Sequence, residues 1–320
     1  MYANTWPLFA AGCTALTARI CRAPLLLSVQ DVYPESLLAR SRYDRHSTVH
    51  RLMQRIDRGV ASLASRVIVL TEGLAEEYRT SRRLADGVVS SIPNWTQVPD
   101  PPKKEAGIEY RRRNGIPESA FVIAFAGTFA ESAGVDQLIR AVALRPFDRE
   151  TVLLLAGDGA CFEECRAMAD KVSGARFVFH RPYCPEDASG ILGASDLLVV
   201  PTRGQISLTA LPSKLMHYMF AARPVLAVCN PNSELARIMT ASCCGWAAEP
   251  DNTPALAQLL QLITHTPHES LHRMGEAARK YALLHFSPEA CLPKLIRLIE
   301  ETATFPVKSR DHTEDRIALD

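Results

Sequence analysis

This sequence predicts an α/β protein of two Rossmann-like halves with parallel sheets, the first half incomplete. Three features carry that expectation. Short apolar runs alternate with helical stripes, a proline-rich stretch interrupts them near residue 100, and the alternation then restarts and runs through a full second unit. The 320 residues suffice for two domains, and an apolar fraction of 47% allows each a core. Thirty-six basic against 35 acidic side chains leave a formal charge of +1, so no global field favours nucleic acid. The nine cysteines show neither paired CxxC knuckles nor a Cys/His zinc spacing, and they read as reduced thiols. Arg19 and Arg22 interrupt the best apolar run before it reaches the length of a spanning helix, and the opening residues lack a basic signal-peptide region. Both observations predict a cytoplasmic chain.

Taken in order, the opening Met1 to Phe9 turns apolar at once, with no strand and glycine loop ahead of it, and reads as the middle of a domain. Pro24 to Val29 (PLLLSV) is a continuous apolar run suited to a strand buried on both faces. Tyr43 to Ala64 has helical spacing, with Val49, Leu52, Met53, Ile56, Val60 and Leu63 on one stripe expected to face the core. Ser65 to Leu70 is a second strand, Thr71 caps a helix, and Val88 to Ile92 is a third strand. Pro93 to Glu105 carries four prolines in ten residues and predicts a stiff connector. Beyond it, strands are expected at Phe121 to Ala126, Thr151 to Ala156, Arg176 to Phe179, Asp196 to Val200 and Pro224 to Val228, with helices between them. Helices at Pro254 to Thr264, Glu269 to His285 and Pro288 to Thr302 follow, and a polar tail begins after Phe305. The expected units are 1–103, 104–287, a crossing helix 288–303 and a disordered tail 304–320.

Candidate site residues cluster at the carboxyl ends of these strands, where open α/β sheets bind ligands. Phe125 to Gly134 (FAGTFAESAG) is a glycine-containing turn that could bring backbone N–H groups to a phosphate, or be a plain βα turn. Gly157-Asp158-Gly159 has the same two readings. In Leu211 to Ala227 (LPSKLMHYMFAARPVLA), a Pro-Ser-Lys start predicts a helix N-terminus, with Lys214 and His217 on one face. Asp31 ends the first predicted strand, as a turn-former or as a group placed near a hydroxyl. Arg40, Arg42, Arg45, Arg51, Arg55 and Arg58, opposed by Asp44 and Asp57, read as a solvated face or a patch for anionic lipid. Arg111 to Arg113 read as water-facing.

The order of these motifs resembles the GT-B glycosyltransferases of family 4, in the branch that builds exopolysaccharide, colanic-acid and O-antigen sugars. The carrying residues are QDVYPES (30–36), SRVIVLTEGL (65–74), IPNW (92–95), FAGTFAESAGVDQLIRA (125–141), LLLAGDG (153–159), FHRPYCPED (179–187), ASDLLVVPT (194–202), PSKLMHYMFAARPVLA (212–227) and DNTPALAQLL (251–260). The resemblance implies a retaining transferase that takes a UDP- or GDP-sugar, needs no metal or other cofactor, and glycosylates a lipid-linked glycan at the cytoplasmic membrane face. It implies donor contacts from Gly127, Thr128, Lys214 and His217, a base-binding backbone at Arg181 to Tyr183, and a reaction cleft holding Gln30 and Asp31. Arg203 is the further cation expected nearby.

The chain departs from the family pattern at Thr128 and Ala133, where relatives carry Arg and Lys, and at Thr209 and His217, where many carry glutamates. Ala222 stands at a usual glycine. The family's first strands and their glycine loop are missing, which predicts an uncovered sheet edge and apolar face, impaired folding and weak transfer. A degenerate nucleotide-sugar-binding remnant and a GT-B nucleotide-sugar epimerase are the rival readings.

Overall fold

The computed structural model describes residues 1–5, 7–32, 34–35, 47–145 and 147–304. Arg40, Arg42, Asp44, Arg45, the start of the predicted helix at Tyr43 and the tail beyond 304 lie outside the described residues.

The first half is a parallel four-stranded sheet in the order β1-β2-β3-β4. Its elements are β1 (Tyr2–Asn4), α1 (Leu8–Ile20), β2 (Leu26–Ser28), α2 (Thr48–Leu63), β3 (Arg66–Val69), α3 (Glu72–Arg82) and β4 (Val89–Ser91). The opening contains a strand that the sequence reading did not place. Tyr2–Asn4 is only three residues long, with an asparagine, so its pattern is silent until β2 pairs with it in register Tyr2↔Leu26. Leu25, Leu27 and Val29 join Val67 and Val69 on one face, packed by Ala11, Ala15 and Ala18 of α1. Small residues let that helix lie close to the strands.

Most of the predicted stripe of α2 is turned outward, and of its members only Val60 is fully buried. Val49, Leu52, Ile56 and Leu63 are exposed, whereas His50, Asp57, Val60 and Ala61 are buried. Asp57 is therefore no part of a solvated face. Its Oδ2 accepts from Arg82 Nε at 2.6 Å and from the Tyr78 hydroxyl at 3.1 Å. Arg82, fully buried, also grips Glu35 through both terminal nitrogens at 2.6 and 2.8 Å. Burial works against the charge on Glu35, but the Arg82 guanidinium outweighs it and holds that carboxyl below its usual range. For Asp57 burial wins and the carboxyl is raised.

The second half holds α4 (Lys104–Arg113), β5 (Phe121–Ala126), α5 (Val135–Leu144), β6 (Thr151–Ala156), α6 (Phe162–Ala169), β7 (Arg176–His180), α7 (Ala188–Ala194), β8 (Leu197–Pro201) and α8 (Ile206–Thr209). It continues with α9 (Lys214–Phe220), β9 (Val225–Val228), α10 (Glu234–Ser242), β10 (Gly245–Ala248), α11 (Thr253–Thr264) and α12 (His268–His285). Its six parallel strands run in the order β10-β9-β8-β5-β6-β7. Strands β5, β6, β8 and β9 are buried along their whole lengths, which is why they read as continuous apolar runs. β10, with the sequence GWAA and only partly buried, had no such run to reveal it. Arg111 does not face water: it donates to the carbonyls of Ala194, Glu118 and Ala120 and pairs with Asp196 at 2.8 Å.

The two halves are joined twice. Pro93 to Lys103 runs without regular structure, and Arg279 of α12 donates to Pro99 O (3.1 Å) and Phe220 O (2.5 Å). The chain then turns at Phe286-Ser287, where the Ser287 hydroxyl caps α13 (Pro288–Ala303) by accepting from Ala290 N–H at 3.2 Å. Cys291 and Leu298 of α13 pack on Leu26, Ile68 and Ile92, the face of the first sheet opposite α1.

Candidate functional site

The strand order fixes where a crevice forms. From β5 the chain proceeds to β6 and β7 on one side, then returns to β8, β9 and β10 on the other. The boundary between β5 and β8 is the topological switch point, where ligands of open α/β sheets sit. The two strands pair only at Ile123↔Leu197 and Ala124↔Leu198 and then part. On the β8 side, Thr202 is drawn away: its N–H and hydroxyl both donate to Val228 O, at 2.9 and 2.7 Å.

Gly127 follows β5 at φ 149° and Gly157 follows β6 at φ 142°. A Cβ at Gly157 would lie 1.8 Å from Gly127 O, so only glycine permits these two turns to touch. Lys214, at the start of α9, reaches over this pair. Its Nζ lies 4.1 Å from the centre of the Phe125 ring and 3.1 Å from where a Cβ on Gly127 would stand. No carboxylate among the described residues lies within ion-pair distance of it. Burial pushes its ammonium down to about 8. With seven residues and no side-chain cap, α9 is a short helix, so the positive charge here belongs to Lys214 rather than to the helix end expected from Pro-Ser-Lys.

The other expected cations are already engaged. Arg203 is ion-paired with Asp136. Arg181 pairs with Asp158 at 3.2 Å and Glu163 at 2.6 Å and stacks over Phe162 at 4.8 Å. Thr128 and His217 are exposed, and Tyr183 is half-buried against the core. Thus Gly127 and Lys214 come together at the switch point, flanked by the exposed Thr128. The segment from Arg181 to Tyr183 lies beyond β7, where His180 sits 3.0 Å from both the Tyr110 hydroxyl and Asp187.

Gln30 and Asp31 follow β2 at the carboxyl end of the first sheet. Gln30 is held at both ends of its amide: Nε2 donates to Ser28 Oγ at 3.0 Å, and Oε1 accepts from Asn94 at 2.8 Å. Asn94, in the connector, was quoted with IPNW but given no role by sequence reasoning. Asp31 is exposed. A cavity of about 250 Å³ between the halves is lined by Thr71, Glu72 and Ser91 from the first sheet's carboxyl ends and by Leu211, Glu234 and Tyr281 from the second half. That end of the first sheet therefore faces the loop that leads into α9. Among the described residues, no group of three or more His, Cys, Asp or Glu is placed to hold a metal ion, and no helix is long and apolar enough to cross a membrane.

Two parallel-stranded halves facing each other across a cleft, with the last helix returning to the first half, define the GT-B class. Residues 108–281 match the family described as glycosyl transferases group 1, and the chain belongs to that family. It is 28% identical over 256 residues to the probable glycosyltransferase WbjE of Pseudomonas aeruginosa, covering 77% of this chain but only 61% of that relative. Its fold is also that of Anabaena HepE solved with UDP (TM-score 0.73, 16% identity, 91% of this chain and 76% of that one). WaaG, a glycosyltransferase involved in lipopolysaccharide biosynthesis, superposes with a TM-score of 0.66 at 19% identity, covering 91% and 80%.

Proposed function

We propose that this chain is a retaining glycosyltransferase that moves a sugar from a nucleoside-diphosphate sugar to a lipid-linked glycan of the cell surface. The observation that carries this reading is Lys214: a half-buried ammonium with no carboxylate of the described residues in ion-pair range, beside the Gly127 turn, at the switch point of the second sheet. A partly desolvated cation lacking an anion gains when a ligand supplies one. A donor diphosphate lying against Gly127 and Thr128 would do so, with the base against Arg181 to Tyr183 and the ribose toward His217. Lys214 would then stabilise charge developing on the departing diphosphate without a metal, while that phosphate accepts the acceptor's hydroxyl proton. Gln30 and Asp31 would line the acceptor side. HepE was solved with UDP and with UDP-glucose, which makes UDP the first probe. The outward apolar face of α2, with exposed Arg51, Arg55 and Arg58, supports peripheral contact with an anionic membrane from the cytoplasmic side.

The direct test is calorimetric titration of UDP and GDP into the wild type and Lys214→Ala. Loss of a charge-assisted contact predicts roughly tenfold or greater weakening. Equal affinities would remove Lys214 from the site. A second reading, a nucleotide-sugar-binding chain without transfer, is favoured by one observation: Arg181 and Arg203 both spend their charge on carboxylates. It predicts UDP binding with no release of UDP from UDP-glucose.

A further inference from the structure

We propose that Tyr218 is a positioning residue that holds the end of β5, and with it the Gly127 turn, in the shape the donor diphosphate needs. This rests on the donor-site reading above and names a residue that reading does not use.

The argument begins with a gap in the sheet. Alternate residues of a strand direct their N–H and C=O groups to opposite neighbours. On β5, Gly127 N–H bonds β6 through Ala156 O, while Val122 O faces β8 and accepts from Asp196 N–H. By that alternation the N–H and C=O of Ala126 point toward β8. The β8 strand has left by then, since its pairing with β5 ends at Ala124. Ala126 is therefore a buried residue with a donor and an acceptor facing an open crevice. Leaving both unmade would cost more than a single lost hydrogen bond.

The Tyr218 hydroxyl fills the gap. It accepts from Ala126 N–H at 2.8 Å and donates to Ala126 O at 3.0 Å. One phenol thus does for Ala126 what a neighbouring strand would do, without closing the crevice as a strand would. Tyr218 is almost fully buried, and a phenylalanine would fill the same space while leaving nothing to bond Ala126. Tyr218 and Lys214 are four residues apart on α9, and hence on one face. That helix grips the strand end at two points one turn apart: Lys214 over Phe125 and Gly127, and Tyr218 on Ala126. Without the lower grip, the peptide leading into Gly127 is free to turn and the diphosphate loses its fixed backbone.

The test uses the full chain, UDP as probe, and four proteins: wild type, Tyr218→Phe, Lys214→Ala and the double variant. Affinity is read well below the lowest melting midpoint of the set, together with amide exchange over residues 121–130. The expected result is about three- to tenfold weaker UDP binding by Tyr218→Phe, from the one hydroxyl removed. The Ala126 amide should exchange faster, and the double variant should lose less than the product of the two single losses, because both grips act on one turn. A merely structural tyrosine would lower the midpoint while leaving UDP affinity and the coupling unchanged. Equal affinity of wild type and Tyr218→Phe, beside a weakened Lys214→Ala, overturns the role of Tyr218 alone. Failure of the wild type to bind either UDP or GDP overturns the donor-site reading and this one with it. Should Tyr218→Phe not accumulate folded, Tyr218→Gln, which keeps a donor and an acceptor, is expected to bind UDP more tightly than the similarly sized Tyr218→Leu. Equality of that pair is the overturning result.

Discussion

At the scale of single residues, Lys214 sets a pH dependence whose sign can be worked out. Burial lowers its ammonium from 10.5 to about 8, so between those values the unfolded chain holds more protons than the folded one and folding stability rises with pH. A bound diphosphate reverses the balance by favouring the charged form. UDP binding should therefore take up a proton near pH 8 and weaken as the pH goes from 7 to 9, whereas Lys214→Ala should bind with the same affinity across that range. Calorimetry in buffers of different ionisation heat checks both, and an identical slope in the variant would remove Lys214 as the source. Ala222 offers a second case. It sits at φ 53°, a left-handed conformation that costs a residue with a Cβ about 1 kcal/mol, at the position where the family resemblance expects glycine. Ala222→Gly should raise the unfolding free energy by roughly that amount, as measured by urea denaturation. Both residues could be singled out from sequence, Lys214 because it follows a recognisable Pro-Ser and Ala222 because the family resemblance expects glycine there. Lys214's lack of a counter-ion among the described residues could not, since it depends on which side chains the fold brings to the Gly127 turn.

At the scale of elements, the interior strands of the second half were legible because burial on both faces leaves an unbroken apolar run. The helices of the first half misled for the opposite reason. Most of the regular apolar stripe of α2 points outward, Val60 excepted, and its inner face carries Asp57, buried beside Tyr78 and Arg82. No local pattern reveals that knot, because Arg82 stands 25 residues from Asp57 and 47 from Glu35. Removing Arg82 leaves the carboxyl groups of Asp57 and Glu35 without their cation, so Arg82→Leu should cost about 3 to 5 kcal/mol, whereas exposed Arg55→Leu on the same half should cost less than about 0.5. Chemical denaturation of the two variants decides it, and comparable losses would show the knot to be dispensable. The same reasoning explains why Tyr218 escaped sequence reading. The partner of its hydroxyl is a backbone residue 92 positions away, exposed to the crevice only because β8 turns aside.

For the molecule as a whole, the family and the two-sheet architecture were readable from the order of motifs. The way the halves hold together was not readable beyond the expectation of a crossing helix. α13 belongs by sequence to the second half and by packing to the first, where Leu298 is buried against Leu26, Ile68 and Ile92. Leu298→Asp should detach it. Limited proteolysis is then expected to cut first near the Phe286-Ser287 corner, and a wild-type cleavage pattern would contradict that packing role. The two crossings have a mechanical result as well. A pair of plates joined by one thread can tumble in any direction, but joined by two they swing about the line through both attachments. Here those attachments are the Pro93 to Lys103 segment, fastened at Pro99 by Arg279, and the corner at Phe286. Any swing of one half against the other is thus confined to a single angle about that line.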